Sequence, residues 1–144
     1  MLKTTLIGCV FFFLSDIRFI DYNGKSVRTT FTAPEKFYGK YSGRKTGFLL
    51  LKKDGTGEYK YDIFGHAVAD CQAQTIAIEW GFIVDESDQI LSFKRDYGKS
   101  YPLLIKSVST TTFQGCRKQV ILDFIMEYKD GSLGVSSSDD WKKQ

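Results

Sequence analysis

The chain contains a single histidine, His66, so any chemistry that needs an imidazole must use this residue. Asp70 follows four positions later and could orient the ring, as the acid of a catalytic triad does. The serines that could serve as the nucleophile are Ser100 and the run 136–138. A lone histidine is more often a surface or hydrogen-bonded residue than a catalytic one. We therefore predict no catalytic residues and, for the chain, no enzymatic activity.

Carboxylates cluster in two places, at residues 85–88 (Asp-Glu-Ser-Asp) and at Asp139 and Asp140. Calcium requires six or more oxygen ligands from a shaped loop, and 85–88 lacks the EF-hand spacing. One histidine cannot build a histidine-based metal site, and the chain has neither a Cys-x-x-Cys pair nor a glycine-rich phosphate loop. The sequence predicts solvated turns at these carboxylates, with no metal and no cofactor.

The elements that must position any site are β-strands, and the clearest of them is residues 75–84. Its even-numbered residues from 76 to 82 are Ile, Ile, Trp and Phe, and the residues between them are small or polar. A period of two places each set on one face of a strand, and the bulky face must be buried. Gly81, on the other face, permits close approach of another backbone or a ligand.

The same alternation recurs in 58–63 and 119–129, and turn signals stand at Asn23-Gly24, 54–57 and Asp130-Gly131. No segment of twelve or more residues has a helical period, although Ser138 or Asp139 could N-cap one helical turn near the end. About eight strands in consecutive hairpins predict an all-β, mainly antiparallel fold, either an up-and-down barrel or a sandwich. We expect a single β-rich domain over 37–144, with 16–36 as a leader or first strand.

The N-terminal segment 1–15 has one basic residue, Lys3, followed by an apolar run from Leu6 to Leu14. This pattern resembles a secretory signal peptide, and residues 6–9 (Leu-Ile-Gly-Cys) have the letters of a bacterial lipobox ending at Cys9. The run is too short for a transmembrane helix. We expect a signal or anchor, and a secreted, periplasmic or cell-envelope location. The alternative is a core element of a cytoplasmic protein.

Without Cys9, two cysteines remain, Cys71 and Cys116. In an oxidising compartment they could form a disulfide, which would stabilise the fold by roughly 3–4 kcal/mol on the chain-entropy account. The alternative is two buried free thiols, since cysteine packs as a small hydrophobic residue.

The net charge of +3 comes from 20 basic and 17 acidic residues, a smaller excess than nucleic-acid binders carry. We therefore predict no nucleic-acid partner, and contact with a membrane only through an N-terminal anchor. One basic stretch, 36–53, stands out, and it is either a solvated face or a contact surface for another protein. Its basic residues are Lys36, Lys40, Arg44, Lys45, Lys52 and Lys53.

Residues 38–41 (Tyr-Gly-Lys-Tyr), an apolar strand and then 54–59 (Asp-Gly-Thr-Gly-Glu-Tyr) resemble the opening hairpin of small bacterial lipocalin-like domains. Such domains often follow a signal or lipoprotein anchor. The resemblance covers 37–94 and implies an antiparallel barrel or half-barrel, with no catalytic residues to transfer.

The high aromatic content, 15%, is the main functional hint, because aromatic strand faces that line a barrel either fill it or hold one ligand. We predict an exported or envelope-associated, non-enzymatic β-domain that either binds a small apolar ligand in its interior or has only a scaffold role. The second hypothesis is a protein-interaction or inhibitor module that uses the basic face 36–53. The third is an enzyme of undefined type. The candidate ligand-binding residues are Tyr59, Tyr61, Trp80, Phe82, Phe93 and Phe124.

Overall fold

The computed structural model describes residues 16–44, 46–60, 75–108 and 119–144, apart from the side chains of 138–140. The segment 1–15, the aromatic Tyr61, the histidine His66 and the cysteines Cys71 and Cys116 lie outside the described residues. The signal segment and the disulfide therefore stay predictions.

The described chain consists of strands and one short 3₁₀ helix, Glu35–Phe37, which confirms the all-β prediction. The strands are β1 (Ile17–Tyr22), β2 (Lys25–Thr30), β3 (Gly39–Ser42), β4 (Phe48–Leu51), β5 (Thr56–Lys60), β6 (Ile76–Ile83), β7 (Phe93–Arg95), β8 (Gly98–Ser107), β9 (Val120–Tyr128), β10 (Leu133–Val135) and β11 (Ser138–Lys143).

Eight of these strands form a closed antiparallel barrel. Of the two predicted architectures, the fold is therefore the barrel and not the sandwich. The order around it is β3-β4-β5-β6-β8-β9-β10-β11, and β11 pairs with β3 to close the ring. Within this ring, strands that follow one another in the chain are neighbours, with the short β7 lying outside it between β6 and β8 in sequence, which is the predicted up-and-down order. Closure pairs the edges of the first and last barrel strands, which an open sheet would leave exposed.

The two ends of the barrel differ, and we name them by what they carry. The plugged end holds the helix Glu35–Phe37, the β4–β5 turn at 52–55 and the β9–β10 turn at 129–132. The far end is the opposite one, where β5 and β8 end, β6 and β9 begin, and the β10–β11 turn at 136–137 lies.

The closing strand β11 corrects a prediction, since 138–143 form a strand and not a helical turn capped by Ser138 or Asp139. Lys142 pairs with Ser42 of β3 on one side and with Gly134 of β10 on the other. Two ladders supply more hydrogen bonds than a single helical turn, whose nucleation is costly.

Strands β1 and β2 form a hairpin around Asn23-Gly24, where both residues have positive φ (52° and 78°), as a tight hairpin turn requires. The hairpin pairs with residues 82 and 83 of β6, beyond the point where β5 begins at Thr56, and β1 also approaches β9. Thr29 lies against Gly81, where an added Cβ would come within 2.2 Å of the Thr29 Oγ1. The predicted close approach at Gly81 is therefore made by the hairpin on the outer wall.

Strand β9 corrects a second prediction, because Phe124 was expected to line the interior and instead lies on the outer face. Tyr101 of β8 pairs with Ile125, and Leu103 pairs with Asp123, so the odd-numbered residues of β9 face the interior and Phe124 faces outward. The outer wall has its own apolar cover, since Leu104 on that face is fully buried. Alternation of bulky residues alone cannot distinguish the two faces when both are covered.

Candidate functional site

The structure separates the five described aromatic residues of the six predicted to bind a ligand; the sixth, Tyr61, lies outside the described residues. Tyr59, Trp80 and Phe82 face the barrel interior and are buried. Phe93 lies on the short outer strand β7 and is 43% exposed, and Phe124 faces outward. The expectation that these two line the interior is therefore wrong, because β7 lies outside the barrel ring and β9 has the opposite phase.

Trp80 is a core residue with no polar atom left for a ligand. Its indole N–H donates a hydrogen bond to the Thr56 carbonyl at 2.9 Å, and its side chain is fully buried. The ring packs edge-on against Phe82, with 5.6 Å between centroids, and against Tyr38 at 6.0 Å. Trp80 and Phe82 thus fill the half of the barrel next to the plugged end.

The helix Glu35–Phe37 closes the plugged end by inserting Phe37 into the core, where it is 2% exposed. The Phe37 ring lies 5.2 Å from that of Phe82 and 4.9 Å from that of Tyr101, measured between centroids. The Tyr41 hydroxyl donates a hydrogen bond to the Phe37 carbonyl at 2.7 Å. Because these contacts fill the half next to the plugged end, a ligand inside the barrel would have to bind in the far half.

An ion pair ties the plug to the barrel wall. Glu127 accepts hydrogen bonds from the Lys36 ammonium and, at 2.6 Å, from the Tyr101 hydroxyl. The Lys36 contact, followed by that of Tyr101, lowers the pKa of Glu127. Burial, together with the Glu127 carboxylate, raises the pKa of Tyr101 to about 12. Both groups therefore keep these contacts at neutral pH.

Two described aromatic residues, Tyr59 of β5 and Trp141 of β11, meet in the far half of the interior, and β3 and β4 lie between their strands. Their rings meet edge-on with 5.7 Å between centroids. Trp141 is 2% exposed, yet no described residue accepts a hydrogen bond from its indole N–H. An unsatisfied buried donor costs about 1–3 kcal/mol, so this N–H calls for a partner.

A buried carboxylate, Asp123, also faces the far half. Its oxygens accept hydrogen bonds from the hydroxyls of Ser136 (2.9 Å) and Ser137 (2.6 Å) and from the backbone N–H groups of Ser137 and Phe124. Burial raises the pKa of Asp123, and the four hydrogen bonds oppose this shift. The carboxylate fastens the β10–β11 turn to β9 at the mouth of the barrel.

The raised pKa of Asp123 predicts a pH-dependent stability that Asp123→Asn should remove. An unfolded aspartate titrates near pH 3.9, so the folded state binds the Asp123 proton more strongly than the unfolded state does. The free energy of unfolding should therefore fall as pH rises from about 4 through the raised pKa and then level off. Equilibrium urea unfolding at a series of pH values measures this contribution.

The comparison must be between the two proteins, because Glu127, Asp54 and Asp130 have lowered pKa values and contribute slopes of the opposite sign. We expect the stability of Asp123→Asn, relative to the parent, to increase with pH across that window. A constant difference at all pH values would show that Asp123 titrates as it does in the unfolded chain.

Trp141, Asp123 and Glu127 are the site residues that sequence reasoning missed. Asp123 is the only charged residue within the apolar run 120–126, and that break was a usable signal. Trp141 had no such signal, because its strand is defined only by pairing with β3 and β10.

A concavity of about 440 Å³ lies on the outside, between the β1–β2 hairpin and residues 88–90. Its rim residues Pro34 and Gln89 are exposed, and the Asp88 carboxylate at its edge is paired with Arg28. The groove is lined by Ile17, Thr30, Thr32, Pro34, Asp88, Gln89 and Ile90. Its charged group is therefore already paired within the chain.

Within the described ranges, no three His, Cys, Asp or Glu side chains lie close enough together to hold a metal ion. The same residues contain no helix that is long and apolar enough to cross a membrane. No protein-family model, curated protein or solved structure matches the chain, so the likeness to lipocalin-like domains stays a prediction.

Proposed function

We propose that the protein is a non-enzymatic binding protein that holds a small, mainly apolar molecule in the far half of its barrel. The observation that carries the proposal is the buried indole N–H of Trp141, for which no described residue is a hydrogen-bond acceptor. The Trp141 ring packs edge-on against the Tyr59 ring. Eight-stranded barrels are just wide enough to be filled by side chains or to hold one small ligand. The plug at Phe37 occupies one half, and the unsatisfied donor lies in the other.

The two inward-facing carboxylates among the described side chains support a binding role over a catalytic one. Asp123 is held by four hydrogen bonds at the far end, and Glu127 is held by Lys36 and Tyr101 at the plugged end. Asp123 holds the β10–β11 turn, and Glu127 holds the helix Glu35–Phe37. The two carboxyl groups lie at different ends of the barrel and do not form a pair. The prediction of export, which depends on 1–15, is compatible with this role.

The alternative of a protein-interaction module that uses the basic face 36–53 has less support. Lys36 is paired with Glu127, Lys53 with Glu35, and the Lys40 ammonium lies 4.6 Å from the centre of the Phe48 ring. Cations that already have intramolecular partners offer a weaker surface for an acidic protein.

A filling substitution tests the proposal. Ile121 lies at the start of β9, partly buried against the core, and its neighbour Leu122 faces outward and is 39% exposed. We expect Ile121→Trp to weaken binding of the neutral apolar dye Nile red by about tenfold, because the larger side chain occupies ligand volume. Leu122→Trp, the matched control one residue away, should bind the dye as the parent does.

Fluorescence titration of the full chain measures the affinities, and native mass spectrometry of protein purified without added ligand reveals any molecule carried along. Circular dichroism confirms that both variants are folded. The proposal is overturned if the parent neither takes up the dye nor carries a bound molecule, or if the two variants bind equally well.

A further inference from the structure

The indole N–H of Trp141 indicates which chemistry a ligand of the proposed site must have. The other polar side chains of the far half have partners, since Asp123 accepts four hydrogen bonds and Ser107 is also engaged. Among the described core side chains, the Trp141 N–H is therefore the one donor that still lacks an acceptor. An indole N–H donates and cannot accept, so the missing partner must be a hydrogen-bond acceptor.

The charge of the surroundings selects among acceptors. The carboxyl group of Asp123 faces the same half, and in its ionised form it would strongly repel a negatively charged ligand group in this low-dielectric interior. Among the described inward-facing residues of β11 and β3, the cation is Lys143, and its side chain lies against Gly39 at the plugged end. An anionic ligand group beside Trp141 would therefore be desolvated without a matching cation.

The walls beside the donor define the rest of the ligand. Tyr59 and Trp141 present ring surface, and Ile76, at the start of β6, is the register partner of Tyr59. Apolar walls with one directed polar group are the usual composition of a small-molecule site, in which the polar group fixes the orientation.

We propose that the ligand is an uncharged, mainly apolar molecule whose carbonyl oxygen accepts a hydrogen bond from the Trp141 indole N–H, with its body against Tyr59. This inference rests on the proposed function, because it requires that the far half of the barrel binds a small molecule. It adds that ketones, esters or amides are bound in preference to carboxylates and hydrocarbons of the same shape.

Three probes of nearly equal size test the proposal: para-butylacetophenone, para-butylbenzoate and the ethyl analogue in which a methylene replaces the ketone carbonyl. Each competes with Nile red for the full chain at neutral pH. We expect the ketone to bind more tightly than both others. Trp141→Phe, which keeps a six-membered aromatic ring and removes the five-membered ring with its N–H, should weaken ketone binding by about threefold to tenfold and affect the hydrocarbon less.

Trp80→Phe is the matched control, because the Trp80 N–H is already bonded to the Thr56 carbonyl. It should leave the preference for the ketone intact. A second measurement uses only the parent protein and so does not depend on the folding of a variant. In its proton NMR spectrum, the ketone should move the Trp141 indole N–H resonance downfield, and the hydrocarbon should not. The Trp80 indole N–H serves as the internal reference.

The outcomes distinguish the two proposals. If all three probes bind equally, or if Trp141→Phe retains the ketone preference, the carbonyl assignment is overturned while the binding function stands. A buried water as the partner of Trp141 would give this result. Tighter binding of the benzoate would also overturn the assignment. If no probe displaces the dye and the dye itself does not bind, both proposals are wrong.

Discussion

Replacing Trp80 with alanine is expected to lower the free energy of unfolding by about 3–5 kcal/mol, the largest effect of any single substitution considered. The side chain is fully buried and contacts the rings of Phe82 and Tyr38. Its removal leaves a cavity that the barrel cannot close, because the surrounding strands are fixed by ladders on both sides. It also leaves the Thr56 carbonyl without the indole donor.

Equilibrium urea unfolding of the full chain measures the loss. Trp80→Phe loses the N–H but keeps a six-membered aromatic ring in the core, so its cavity is smaller and it should cost less than Trp80→Ala. Phe19→Ala is the surface control, since Phe19 is 61% exposed, and its effect should stay within about 0.5 kcal/mol. A loss below about 1 kcal/mol for Trp80→Ala would mean that Trp80 is not a core residue.

This expectation also changes how ligand binding has to be tested. The sequence made Trp80 the natural residue to replace in a search for a ligand pocket. The structure shows a tryptophan whose polar atom is satisfied and whose ring supports the plug through Phe82. Loss of binding in Trp80→Ala would therefore report loss of the fold, and the variants at Ile121 and Trp141 are the informative ones.

Gly81→Ala is expected to destabilise the protein by about 1–3 kcal/mol, although alanine is ordinarily better than glycine inside a strand. An alanine Cβ at this position would lie 2.2 Å from the Thr29 Oγ1 and 2.6 Å from the Thr29 Cβ. Thr29 is fully buried and its hydroxyl donates to the Arg18 carbonyl at 2.7 Å, so it cannot rotate away freely. The substitution should push the β1–β2 hairpin off the outer wall.

Hydrogen exchange should locate this effect, with protection lost in β1 and β2 and retained in the barrel strands β8 and β9. Ala77→Val is the matched control, because Ala77 lies on the same outer face of β6 but is exposed, and the change should be nearly neutral. Adding Thr29→Gly to Gly81→Ala should restore part of the lost protection. Unchanged exchange in the hairpin of Gly81→Ala would contradict the observed close packing.

Local signals predicted the hairpins well because they depend on a few neighbouring residues. Asn23-Gly24 forms the turn of β1 and β2, and Gly55 and Gly131 adopt the positive φ values (82° and 89°) that their turns require. The Asp54 and Asp130 side chains add hydrogen bonds to the backbone two residues later, which reinforces both turns.

Other features were decided by contacts between residues distant in sequence. The phase of β9 depends on the hairpin that covers the outer wall and on Ser136 and Ser137, which accommodate Asp123 inside. The short strand β7 pairs with β8 at the edge of the sheet and is not part of the ring, so Phe93 stays outside the barrel. A period of two indicates that a strand has two faces, but it does not indicate which face is covered.

By itself, the sequence determined that this protein is an antiparallel β-structure of consecutive hairpins, because alternation and turn chemistry are encoded within a few residues. Only the tertiary structure decided that the sheet closes into a barrel, since closure requires β11 to meet β3 across about one hundred residues of chain. Closure also places Trp141 beside Tyr59 and leaves its N–H buried without a described partner. The candidate site is therefore a product of ring closure, and no local pattern encodes it.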